Sequence, residues 1–259
     1  MISRTDINGT IRFAFDKARE KAPGSGFSAA RKVERRFAQQ LRKIARHIAD
    51  LVETFGAEQT DALTYALDRY GEIIEPWARA VSGRMIAQVS EHDERAWMKL
   101  ARQMGMSLKS EIERAPVGIR MQQLLEEQVG LIKSLPIEAA ERVHKITTEG
   151  ITKGLRASEV AAEIMKTGHV TKSRANLIAR TEVGRTSTTL SQARAESVGS
   201  RGYIWRTAGD TDVRESHRKM EGRFVAWNDP PTLDGLTGHA GALPNCRCYP
   251  EPVIDDAEA

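Results

Sequence analysis

The sequence predicts a mainly α-helical fold, with an elongated helical N-terminal region and a small α+β C-terminal module of short antiparallel strands. Three observations carry that prediction. Between Ser28 and Val198 apolar residues recur at three- and four-residue steps, the period of an amphipathic helix. Alanine and charged residues are plentiful while aromatics make up only 5% of the chain, a helix-rich composition. After Ser200 the period stops, and Tyr203, Trp205 and Thr207 alternate with other residues as strand positions do.

Residues 1–27 end in the breaker Ala22-Pro-Gly-Ser-Gly26 and read as an N-terminal arm or short hairpin. A helical region is expected over 28–145. Ser28 is placed to cap a first helix, whose apolar stripe runs Val33, Phe37, Leu41, Ile44, Ile48, Leu51 and Phe55, with Gly56 ending it. Thr60 is placed to cap a second helix through Leu63, Leu67, Tyr70, Ile74 and Trp77, which Pro76 should kink or divide. Ser90-Glu-His-Asp93 resembles a capping box, so a third helix is expected there, carrying Trp97, Leu100 and Met104. The stretch Ala115-Pro-Val-Gly118 breaks the run. One helix is expected over Gln122–Ser134, and another from Pro136 to Gly150. The segment 146–254 changes character. A short helix over Glu159–Lys166 is expected to stop at Gly168, and Thr171-Lys-Ser173 to cap a longer one that ends at Gly199. Small residues are frequent on that longer helix, so neighbours can approach closely. Arg180, Glu182 and Arg185 read there as solvated charge with a helix-surface salt bridge. Strands are expected around 203–207, at Arg223–Trp227 and from Cys248, with loops at Asn228–Pro231 and 235–241 and an acidic tail at 255–259.

The length of 259 residues suits one or two domains with a real core. No apolar run approaches the roughly 20 residues that span a bilayer. The polar start Met1–Thr10 does not read as a secretory signal. Two cysteines make no disulfide scaffold, so folding in a reducing cytosol is expected. Seven basic residues between Ser28 and Gly56 (Arg31, Lys32, Arg35, Arg36, Arg42, Lys43, Arg46) face three acidic ones. Of these, Arg31, Lys32, Arg35, Arg36, Arg42 and Lys43 are the candidate contacts for DNA or a protein partner, against the plainer reading of a solvated helix face.

Chemistry-bearing residues concentrate in the last quarter. Cys246 and Cys248 lie two apart, so in an extended segment both thiols point to one side and can face one metal ion. Tetrahedral zinc needs two further ligands. His217 and Asp210 complete the candidate set, with Asp212 and His239 nearby. The alternative is a pair of half-buried thiols packing a small sheet. Asp210, Asp212, Arg214 and His217 form a candidate polar network in which Arg214 clamps a carboxylate; as general acid–base groups they would instead suggest an enzyme. His217, Asn228 and His239 beside the cysteines bring to mind a His-Asn-His metal nuclease, but that family's paired cysteine knuckles are missing. No phosphate-binding loop, nucleophile elbow or H-E-x-x-H pattern is present. His47, His92, His144 and His169 read as surface or packing residues, and Trp77 and Trp97 as core.

Taken in order, Ala179-Arg-Thr-Glu182, then Tyr203-x-Trp205-x-Thr207-x-x-Asp210-x-x-Val213-Arg214-x-x-His217, Gly222 and Pro244-Asn-Cys246-Arg-Cys248 resemble the phage Mu protein F-like head morphogenesis family over roughly residues 145–254. The resemblance implies a non-enzymatic minor capsid protein of a tailed phage or prophage, present in few copies in the virion near the portal vertex and in the host cytoplasm during assembly. It implies the portal protein and a major capsid or scaffold protein as partners in procapsid assembly, with double-stranded DNA packaging or ejection as a further role by analogy. The family's Asp, Arg, His and Cys-x-Cys fall on Asp210, Arg214, His217, Cys246 and Cys248. Two other classes compete: a metal-dependent nuclease or toxin-like enzyme in the C-terminal module, and a DNA-binding protein led by the basic face at 31–46.

Overall fold

The computed structural model describes residues 4–5, 11–12, 30–104 and 109–254. Ser28, the tail 255–259 and most of the arm lie outside them. The described chain is mainly helical, with short antiparallel strands gathered at its C-terminal end. In the arm, β1 (Arg4–Thr5) pairs antiparallel with β2 (Ile11–Arg12). The described residues group into two compact units, each assembled from separated stretches: one from 32–85 and 124–180, the other chiefly from 86–104, 109–123 and 181–254.

The first unit is all helix. Helix α1 (Arg31–Phe55) buries Val33, Phe37, Leu41, Ile44, Ile48 and Val52, and Gly56 ends it at a positive φ of 62°. Helix α2 (Thr60–Ile73) has Gln59 as its N-cap, so Thr60 is the first helical residue and not the cap expected there, and the helix stops at Ile74. The next helix, α3 (Glu75–Met104), carries Pro76 in its first turn, where a missing N–H breaks no intrahelical bond. The proline divides the pattern, as its position suggests.

Several expected boundaries are absent. The Gln122–Ser134 and Pro136–Gly150 helices are one helix, α5 (Val117–Lys153), with Pro136 inside it. The proline removes one backbone bond, but Ile132, Leu135, Ala139 and Val143 continue a single buried stripe across it. That burial outweighs the local preference. Gly150 does not end the helix; a Cβ there would meet Val160 Cγ2 at 2.5 Å, so this glycine allows the close approach of α6 (Ala157–Met165). The actual stop is Gly154, at φ 62°, where Leu155 N–H donates to the Gly150 carbonyl and Gly154 N–H to that of Ile151. Gly168 likewise stops nothing. It lies in the first turn of α7 (Thr167–Ser197), where a Cβ would be 2.7 Å from Ala49 Cβ. Thr171 is no cap but a buried residue inside α7, donating to the Thr167 carbonyl at 2.9 Å.

In the second unit α3 continues without a break past Ser90, so the expected third helix start does not occur. Ser90 and Asp93 are buried, and both bind the buried Arg194: Asp93 through a short ion pair, and Ser90 Oγ at 3.3 Å. The Ser–x–x–Asp pattern thus serves a tertiary partner on α7 rather than the backbone of its own helix. The short α4 (Lys109–Arg114) precedes the break at Ala115-Pro116. Helix α7 ends at Gly199, φ 81°, and feeds a three-stranded antiparallel sheet of order β4-β3-β7: β3 (Gly202–Arg206), β4 (Phe224–Ala226) and β7 (Tyr249–Val253). Tyr203 pairs with Val225 on one side and Pro252 on the other. Tyr203 and Trp205 are fully buried and join Trp97, Leu100, Trp227, Leu243, Cys246 and Cys248 in one core. Between β4 and β7, β5 (Thr232–Leu233) and β6 (Leu236–Thr237) form a hairpin on Asp234-Gly235, both at positive φ as a tight two-residue turn requires. No helix among the described residues is long and apolar enough to cross a membrane.

Candidate metal centre

The site lies where α7 supports the cysteine loop. Three α7 residues at one helical face, Thr181, Gly184 and Thr188, hold residues 240–246. Thr188 Oγ1 donates to the Ala240 carbonyl at 2.6 Å, and Asn245 N–H donates to Thr181 Oγ1 at 3.0 Å. Between them, a Cβ on Gly184 would stand 2.6 Å from the Gly241 carbonyl oxygen, so backbone rests directly on backbone. Asn245 takes a positive φ of 58° and turns the chain just before Cys246. The small residues expected to permit close approach on this helix do so here.

Opposite the loop, the single-turn helix α8 (Glu215–Arg218) presents His217, which is 2% exposed. Its Nδ1 lies 3.4 Å from Cys246 Sγ and 3.6 Å from Cys248 Sγ. All three ligand atoms fall within 4.8 Å of one another, and all three residues are buried. Trp205 packs edge-to-face on the imidazole, with ring centres 5.6 Å apart. His217 Nε2 is buried without a hydrogen-bond partner, so the ring is oriented by the two sulfurs and that packing. Cys246 Sγ accepts the Cys248 backbone N–H at 3.4 Å. The Cys248 thiol donates to it as well, which lowers the Cys246 pKa and raises that of Cys248: the two sulfurs hold one proton between them more readily than two.

The expected partners are reassigned around this core. Asp210 is not beside the thiols; its Oδ1 accepts from Arg247 Nη2 at 2.7 Å and from Asp212 N–H at 3.2 Å. Asp212 Oδ2 also accepts from Arg247, at 3.0 Å. The carboxylate clamp is therefore Arg247, which the sequence reading passed over although its place between the cysteines points it away from them. Arg214, expected in that role, instead donates to the Pro244 carbonyl at 2.9 Å and pins the loop. His239 stands apart with Tyr203: its Nδ1 is 3.2 Å from Tyr203 Oη, which accepts Ala240 N–H at 3.0 Å. Burial holds the His239 pKa below the usual imidazole value and pushes that of Tyr203 up. Glu182, expected in solvent, is buried and lies 3.9 Å from Arg185. On α1, Arg31, Lys32, Arg35, Arg36 and Lys43 are exposed, whereas Arg42 is half-buried and donates to Asn176 Oδ1 at 3.0 Å.

Asp212, Val213, Arg214, Asn245 and Arg247 surround a cavity of about 40 Å³ that reaches all three of His217, Cys246 and Cys248. That is room for a few water molecules.

Residues 141–250 match the family described as phage Mu protein F like protein. Three relatives have related sequences. An uncharacterized protein of Haemophilus influenzae is 32% identical over 61% of this chain and 35% of its own length. The minor head protein GP7 of Bacillus phage SPP1 is 26% identical over 88% of this chain and 82% of its own. The NAD(+)–arginine ADP-ribosyltransferase EFV of Enterococcus faecalis is 28% identical over 46% of this chain and 26% of its own. The chain thus spans about a third or less of the Haemophilus and Enterococcus proteins and most of the phage one. No solved structure matches.

Proposed function

We propose, from the premise that residues 141–250 belong to the phage Mu protein F-like family, that this chain is a minor capsid protein acting in head morphogenesis of a tailed phage or prophage. It joins the procapsid at the portal, in contact with the portal protein and a major capsid or scaffold protein. Packaging or ejection of double-stranded DNA is the step it would assist. The observation that carries this reading is the likeness to the SPP1 minor head protein. It runs through the helical part as well as the C-terminal module, and so covers more than the segment the family defines.

The toxin-like alternative draws on the Enterococcus relative, but that likeness covers under half of this chain. The cavity beside His217 is too small to be a nucleotide site for such an enzyme. Ligand pockets run to hundreds of Å³, and about 40 Å³ does not hold a nucleotide.

The direct test is composition of particles. Heads purified from cells carrying the parent phage or prophage should contain this chain at few copies per head, and deleting its gene should lower the yield of DNA-filled heads. Its absence from purified heads, with normal head yield after deletion, would remove the proposal.

A further inference from the structure

We infer that His217 Nδ1, Cys246 Sγ and Cys248 Sγ bind one soft divalent metal ion, Zn2+ by ligand chemistry, and that its fourth position is held by solvent from the adjoining cavity. Two thiolates and an imidazole suit zinc. At Zn–S about 2.3 Å and Zn–N about 2.0–2.1 Å, a tetrahedral centre sets each N···S edge near 3.5 Å. The observed edges are 3.4 and 3.6 Å. Hydrogen bonding alone explains the cluster poorly. Nδ1 offers one hydrogen or one lone pair, so it cannot satisfy two sulfurs at once, whereas an ion between the three atoms meets all of them. The amide N–H of Cys248 directed at Cys246 Sγ is the kind of outer contact that supports a charged sulfur.

Among the described residues no fourth His, Cys, Asp or Glu ligand atom joins the three. Asp210 is engaged by Arg247, and His239 by Tyr203. Besides the three ligand residues, the space beyond is bordered by Asp212, Val213, Arg214, Asn245 and Arg247. Structural zinc sites are closed by four protein ligands; a three-ligand site keeps an exchangeable position. On binding, the thiol protons pass to solvent and the dication balances two thiolates. The small sheet module offers limited core, so the ion would tie α8 to the strand that follows the cysteine loop.

The full-length chain, purified under reducing conditions, should carry about one zinc per chain. Removing the zinc with a chelator should lower the unfolding temperature. Replacement by Co2+ should give thiolate charge-transfer absorption and the intense visible bands of tetrahedral cobalt. Added azide should shift those bands if the fourth position is open. Cys248→Ser and His217→Ala should lose the cobalt spectrum, while Cys248→His, which returns a ligand to that place, should recover binding with weaker charge transfer. Asp210→Asn and His239→Ala should bind as the parent does. The inference is overturned if the folded chain carries no zinc or cobalt while both thiols react freely. Loss of binding in Asp210→Asn, or bands unmoved by azide, would overturn the open fourth position. None of these readouts depends on whether the chain enters a phage head.

Discussion

Among single residues, Asp93 and Arg194 matter most to the second unit, because both side chains are almost wholly buried, at 1% and 3% exposure. Burial pushes the Asp93 carboxyl up to about 7, against the pull of the Arg194 guanidinium. The folded chain therefore holds this proton more tightly than the unfolded chain does. Stability contributed by Asp93 should fall as the pH rises from about 4 to about 7, and an Asp93→Asn variant should lack that slope in urea unfolding. Removing Arg194 alone, as in Arg194→Met, strands a buried carboxyl. It should cost about 3–5 kcal/mol at neutral pH and less in acid, where the carboxyl takes up a proton; a double variant Asp93→Leu/Arg194→Met should recover most of the loss. Neither residue could be singled out beforehand, since Ser90–Asp93 also fits a helix cap and only a partner 101 positions away gives it another meaning. The candidate ligands were easier to read. Cys246, Cys248 and His217 are the residue types that bind zinc, and they meet in space. Asp210 is equally a zinc ligand by type, but the guanidinium of Arg247 reaches it first.

At the level of elements, helix interiors are written plainly in the sequence and helix ends are not. The stripes of α1 and α5 follow from periodicity. The fates of Pro136, Gly150 and Gly168 depend on what packs beside them, since a glycine that ends a helix and a glycine that admits Val160 or Ala49 look alike. Gly184 on α7 is the informative case for the site. Gly184→Ala would press a methyl onto the Gly241 carbonyl, which is backbone and cannot swing aside. The variant should be destabilised and should hold zinc less tightly, as read by thermal unfolding and by competition with a chelating dye. Gly130, exposed in α5 with nothing within 4 Å of a Cβ, gives the contrast. Gly130→Ala should stabilise the chain by about 0.5–1 kcal/mol through backbone entropy alone.

For the whole molecule, six exposed basic residues of α1 (Arg31, Lys32, Arg35, Arg36, Lys43 and Arg46) form the surface that DNA would meet if the chain assists packaging. Binding of duplex DNA by the full chain should weaken steeply with salt, and Arg35→Ala/Arg36→Ala should flatten the log–log slope by about 1 per residue; an unchanged slope would take α1 out of any DNA contact. Arg42 should matter less, being held by Asn176. The sequence by itself determined the helical class, the change to strands after Ser200, the family likeness over the C-terminal part and the residue types of the candidate metal centre. All of these rest on periodicity, composition or local motif, which are properties of neighbouring positions. Only the tertiary structure decided which boundaries were real, that two compact units are built from interleaved stretches of chain, and that Arg247 rather than Arg214 holds the two aspartates. Those outcomes turn on burial and on partners tens of residues away. A carboxylate, a glycine or a proline carries several local meanings, and which one prevails is set by the group that packs against it.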